Sequence, residues 1–240
     1  MYMLVVSLWP LFVACSFYLI IMGLCLGVKL VLGVGFVMFG VGLFMWGSED
    51  DVKMMVSEMY SDYMSGCGLG VLIFIFSEFM FFLSLLVSSV YLVEEWDSLV
   101  SVDMYGVPML ISFILLSSGV TLTKGHQMMY LGCNGSSFKW VVITVLLGLF
   151  FVAIQAGEWM ENSFEMFDGV GGSLFYFVTG FHGLHVIMGV LLNISLGYML
   201  FVLLSGGGLI LWKMEGIVWY WHFVDVVWLF VYLGLYWYCM

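Results

Sequence analysis

Long apolar runs alternate with short polar breaks along the chain, and the spacing of that alternation matches a bilayer crossing. A helix needs roughly 20 apolar residues to span the hydrocarbon core. Measured against that length, the pattern predicts seven helices. They run from Leu8 to Leu26, Leu30 to Trp46, Gly68 to Val93, Val107 to Thr123 and Phe138 to Gly157, then from Gly169 onward, and last from Gly216 to Tyr238. The breaks carry the turn formers and most of the acids, among them Gly47 with Glu49 to Asp51, and Gly132-Cys133-Asn134-Gly135. The predicted fold class is an all-α, polytopic membrane protein.

The sixth run is ambiguous. Between Gly169 and Trp212 the only acidic, basic or histidine residues are His182 and His185, and this stretch is long for one span but short for two. Charge sidedness decides. With one long helix ending before Gly206-Gly207-Gly208, the connections after helices two, four and six share a face with the N-terminus. They hold Lys53, Lys124, Lys139 and Lys213. The connections after helices three and five hold Glu94, Glu95, Asp97, Asp103, Glu158, Glu161, Glu165 and Asp168, and no lysine. Splitting the run would send Lys213 to the acidic side. Seven helices, with the N-terminus on the inner face, obey the positive-inside rule.

Composition strengthens the membrane assignment and removes several functions. Of 240 residues, 64% are hydrophobic and 9% charged, and the mean hydropathy is +1.17. A soluble domain cannot cover so much apolar mass with so little polar surface. Five lysines, no arginine and a net charge of -11 exclude a nucleic-acid partner, which needs clustered cations. Cys15, Cys25, Cys67, Cys133 and Cys239 are scattered, as small hydrophobes are, and outline neither a zinc site nor a disulfide framework. The first apolar run follows without a basic leader, so we expect insertion where the chain is made, in an organelle or a bacterium.

The candidate chemistry lies in the few ionisable residues within spans. Glu78 sits in IFIFSEFMFF, His182 and His185 are one turn apart, and His222 and Asp225 share a face of the seventh helix. A carboxylate at mid-span is expensive unless protonated or paired. Helix rise places Glu78, His182 and His185 near mid-depth, with Asp225 slightly further in, so the groups are expected to be able to meet. Three roles stay open on the residues alone: haem or metal ligation, a proton pathway, and polar contacts within a structural subunit. A di-metal carboxylate helix is the weaker reading of Glu158, Glu161, Glu165 and Asp168, because no Glu-x-x-His repeat accompanies them. They read as an acidic loop, and His126 as a surface histidine in the connection after helix four.

Two longer stretches are more specific. DGVGGSLFYFVTGFHGLHVIMG, from Asp168 to Gly189, and WYWHFVDVVWLFVY, from Trp219 to Tyr232, closely resemble the signatures of cytochrome c oxidase subunit III. Shorter matches keep the same order. They are Trp9-Pro10 before helix one, Ser77-Glu78 with FMFF in helix three, Val107-Pro108 with LLSSGVTLT in helix four, and Gln155-Ala156 with Glu158 closing helix five. Nearly the whole chain is covered.

The resemblance implies a seven-helix core subunit of a haem-copper oxidase, in the mitochondrial inner membrane or a bacterial plasma membrane. Helices one and two (1–47) would be separated by a lipid-filled cleft from the bundle of helices three to seven (66–240), with 48–65 as the connecting loop. The chain would be non-catalytic, without a catalytic residue, metal or cofactor of its own. Haem and copper would belong to partner subunits I and II, accessory subunits and phospholipids would be further partners, and the role would be to stabilise subunit I and support proton uptake and oxygen access. Glu78, His182, His185, His222 and Asp225 match the family's buried polar positions, as lipid or subunit contacts. The family's basic residues for lipid phosphate are missing here, where Gly68 and Gly-Ser-Glu-Asp-Asp stand instead. Trp46, Lys53 and Lys213 are the remaining headgroup candidates. A quinol oxidase subunit III usually lacks the first two helices; an independent haem-binding or proton-coupled carrier is the alternative from another class.

Overall fold

The computed structural model describes the backbone of residues 7–57, 61–92, 105–204 and 211–238, and their side chains except at 48–57, 61–65, 67, 202–204, 211–212 and 238. Among the described residues the regular structure is all helix, without a strand. Its elements are α1 (Trp9–Leu26), α2 (Lys29–Ser57), α3 (Ser61–Tyr91), α4 (Val107–Tyr130), α5 (Asn134–Glu161), α6 (Gly169–Leu204) and α7 (Leu211–Val231), the last continuing as a π-helix over Tyr232–Tyr238. Among the described residues, seven helices are long and apolar enough to cross a membrane. The sixth run is one helix of 36 residues. Nothing interrupts it, since both prolines lie elsewhere, at Pro10 and Pro108.

The helices outrun the apolar signal at their polar ends. Within 48–65 the described residues are helical where their polarity suggests a loop, because α2 continues to Ser57 and α3 begins at Ser61, with 58–60 outside the described residues. Likewise α4 continues to Tyr130 and carries Lys124 and His126, and α5 continues to Glu161. Hydropathy marks the hydrocarbon boundary, whereas intrahelical hydrogen bonding persists into the headgroup layer.

The chain forms two compact units, residues 1–63 and 64–240. In the first, α1 ends at Gly27 in the left-handed region (φ 66°), and the amides of Gly27 and Val28 close back on the carbonyls of Leu24 and Gly23. This tight cap reverses the chain directly into α2. The two backbones then touch. A Cβ on Gly23 would lie 2.6 Å from the Leu32 nitrogen, and one on Gly35 would lie 2.9 Å from that of Ile20. In a bilayer, where apolar burial drives little association, such close van der Waals contact is what holds a helix pair.

The second unit is built around α7. Trp221 and Trp228 are buried, and each indole N–H donates across to α4, to Ser118 Oγ at 3.0 Å and to Ser112 Oγ at 2.8 Å. Trp221 fits because Gly148 on α5 and Gly189 on α6 lack side chains; a Cβ at either would meet its ring at 2.7 Å. Shorter polar ties set the remaining registers: Thr121 with Thr144 at 2.8 Å, Ser137 to the Gly125 carbonyl at 2.9 Å, and Tyr176 to the Phe164 carbonyl at 3.0 Å. Span serines such as Ser84 and Ser117 donate to carbonyls of their own helix and so expose no unsatisfied donor to lipid.

Candidate functional site

The ionisable residues of the spans gather in the second unit, though not at one point. α6 carries His182 and His185 one turn apart, and that offset sends them to different neighbours. His185 faces α3, where its Nε2 lies 3.1 Å from Glu78 Oε2. Its Nδ1–H donates to the Phe181 carbonyl at 2.7 Å. That bond fixes the first ring proton, so the Nε2–Oε2 contact needs one more, held by either partner. The pair is therefore neutral overall, which lowers the cost of placing a carboxyl within the span. The side chains are 15% and 25% exposed for His185 and Glu78, so the pair lies near the bundle surface rather than at its centre. Phe82 packs edge-on against the His185 ring, with centroids 5.0 Å apart.

His182 points deeper, into the core. It is 1% exposed, and its Nε2–H donates to the Val224 carbonyl on α7 at 3.2 Å. Its ring lies against Phe151 and Trp228. With one imidazole turned to α7 and the other to α3, the two histidines do not form a ligand pair. The expected meeting of Glu78, His182, His185 and Asp225 therefore holds only for Glu78 and His185: the two histidines share a face of α6, but one bonds to α7 and the other to α3.

His222 and Asp225 form a third group, on the side of α7 facing α4. Gly119 leaves the space that the Asp225 carboxylate fills; a Cβ there would collide with Oδ2. The Thr123 hydroxyl gives its proton to the Gly119 carbonyl at 2.8 Å, so His222 Nε2–H is the donor to Thr123 Oγ1 at 3.3 Å. His222 Nδ1 then lies 3.7 Å from Asp225 Oδ2. The His222 side chain is 41% exposed while that of Asp225 is only 7% exposed. Where the C-terminal end of α4 meets the N-terminal end of α7, the Tyr130 hydroxyl donates to Glu215 at 2.6 Å.

Some residues of this kind were not singled out from the sequence as buried groups. Glu158 belongs to the bundle, not to an acidic loop: it is 6% exposed and accepts from the Gln155 amide at 3.1 Å. The i, i+3 spacing of Gln155 and Glu158 behind an apolar run was the available signal. Tyr236, buried in the π-helical end of α7, was hidden among the belt aromatics. Of the headgroup candidates, Trp46 and Lys213 are half-buried, and the side chain of Lys53 lies outside the described residues, as do those of Glu49 to Asp51. Glu94, Glu95, Asp97, Asp103 and Gly206 to Gly208 lie wholly outside them. Among the described residues no three His, Cys, Asp or Glu side chains converge as a metal site would require.

Comparison with known proteins decides the family. The family model described as cytochrome c oxidase subunit III matches residues 1–240. The chain belongs to this family. It is 35% identical to cytochrome c oxidase subunit 3 of Branchiostoma lanceolatum, over 96% of this chain and 94% of the relative. It is 41% identical to the Danio rerio protein of that name, over 72% and 69%, and 38% identical to that of Allomyces macrogynus, over 71% and 66%. The chain is thus a subunit of an oxidase complex, an oxidoreductase, and assembles in it with other subunits.

Proposed function

We propose that the chain is a non-catalytic support of the oxidase. It stabilises catalytic subunit I, next to subunit II and the accessory subunits, and sustains proton uptake and oxygen access while electrons pass from cytochrome c to oxygen. The observation that carries this reading is the engagement of its span residues. Glu78 is matched by His185, His182 by the α7 backbone, and His222 by Thr123, so these groups join helices to one another. Such contacts make a bundle with a defined shape, which is what a neighbouring catalytic subunit can dock against. Haem and copper belong to the partners in this reading. We place the chain in the mitochondrial inner membrane or a bacterial plasma membrane, with its N-terminus inward on the lysine distribution. Phospholipids are further partners in this reading, with Trp46, Lys53 and Lys213 as the headgroup candidates.

Purification tests the central claim. The isolated chain is expected to show no haem absorption and to copurify, from native membranes, with subunits that do. Oxidase depleted of the chain should keep its haem spectrum and lose activity faster during turnover. A stoichiometric haem on the isolated chain would overturn the reading.

A further inference from the structure

One polar seam runs between α4 and α7. Gly119 meets Asp225, Thr123 meets His222 and Tyr130 meets Glu215, so the two helices keep a single antiparallel register along it. From Glu215 to Asp225 the seam is about 15 Å long by helix rise.

A group able to carry a proton occurs at each turn, and chains of carboxyls and histidines are what membrane proteins use as proton relays. Glu215 accepts from Tyr130 at 2.6 Å, at the end that the lysines place inward. From there to His222, α7 has no acid or histidine; at that level α4 supplies His126, whose ring centroid lies 4.9 Å from that of Tyr130. His126, Tyr130 and Glu215 line one small cavity of about 10 Å³, room for a single water with three polar neighbours. His126 stands one turn of α4 from Thr123, which holds His222; that step is roughly 5–6 Å, a span one water bridges. The Nε2 proton of His222 is committed to Thr123, so an arriving proton goes to Nδ1, which faces Asp225 Oδ2 at 3.7 Å.

There the seam stops. Asp225 is 5% exposed, and its Oδ1 is buried without a hydrogen-bond partner. Beyond it α4 and α7 are joined by Trp228 on Ser112, and α4 has no acid, base or histidine from Val107 to Thr123. The other elements packed on α7 bring no charge to Asp225: α5 presents Gly148 and Phe151 to the α7 indoles, and His182 of α6 is turned to the Val224 carbonyl. Lys124 and Lys213, each two residues from a seam member, are the cations at the entrance. A route open at one end does not carry protons across the membrane; it loads one and gives it back. Its lateral opening is His222, whose side chain is 41% exposed.

We propose that the seam is a one-sided proton store. A proton enters from the inner surface through Glu215 and His126, reaches His222 Nδ1 and rests on Asp225, then returns through His222 for uptake by the neighbouring subunit. This rests on the proposed support of proton uptake and names the groups of the chain that supply it.

The test follows the Asp225 carboxyl by infrared spectroscopy after a downward pH jump on intact oxidase. The band is assigned by its loss in Asp225→Asn or, where that variant does not assemble, by its shift in Asp225→Glu. His126→Phe should slow the response on the order of a hundred-fold with haem per complex unchanged, and His126→Glu, which restores a titratable group, should recover it. Met129→Leu, in the same cavity wall but with no proton to pass, should match the native chain. Proton uptake during turnover should fall in His126→Phe and recover in His126→Glu. No pH-dependent band at Asp225, a response indifferent to His126→Phe, or a slowed response that His126→Glu fails to recover would overturn this proposal alone, whereas a haem on the isolated chain would overturn the reading beneath it.

Discussion

A polar residue in a membrane span is worth what its partner makes it worth, and Glu78 with His185 shows how. Hydrogen bonds between membrane helices typically contribute about 0.5–2 kcal/mol, because separated helices find other partners. Removing one member costs more than removing both, since the survivor is left in hydrocarbon without a match. His185→Leu is therefore expected to lower the detergent-denaturation midpoint of the assembled oxidase subunit, and Glu78→Leu with His185→Leu to recover most of that loss. A double variant no more stable than the single would show that the pair does not tie α3 to α6. His182 responds differently. Its partner is a backbone carbonyl that helix geometry also serves, so His182→Gln should be tolerated better than His182→Leu in the same assay.

Among the elements, α7 depends on what α5 and α6 leave out. Trp221 occupies space that any side chain at Gly148 would contest, with Val190 equally close at 2.7 Å. Gly148→Ala should cost roughly 1–3 kcal/mol through overpacking and reduce the amount of chain recovered in the complex. Gly157, on the same helix, has nothing within 4 Å of a built Cβ. Gly157→Ala should be neutral, or stabilising by up to about 1 kcal/mol from helix propensity. Equal losses at the two positions, read as chain recovered per haem, would refute the packing argument. The seven spans were legible because each is a long apolar run, and α6 was legible as one helix because Lys213 had to stay with the other inner lysines. The ends were not: Lys124, His126 and Glu158 look like loop residues by polarity, yet they continue helices whose backbone bonds are indifferent to side-chain charge. The partners of His182 and His185 were not legible either. Sequence spacing puts them on one side of α6, and only the packing of α3 and α7 separates them.

For the whole molecule, the lysine count makes a claim about orientation that two cysteines can test. If the N-terminus faces inward, α1 ends on the outer side with Cys25 in its last turn, and α4 ends on the inner side at Cys133, in the turn before α5. Both cysteines are free and exposed. Replacing Cys67 and Cys239 by Ser removes the other thiols near helix ends, and Cys15 lies within the α1 span. A membrane-impermeant maleimide applied to right-side-out membranes should then modify Cys25 and spare Cys133, and inverted membranes should reverse the pattern. An odd number of crossings separates the two sites, through α2, α3 and α4, so they must lie on opposite faces in any seven-helix arrangement of this order. Labelling of both from one side would break the helix count itself. Labelling of Cys133 from outside and Cys25 from inside would keep the count and invert the chain, leaving four lysines on the outer face against the bias that directs membrane insertion.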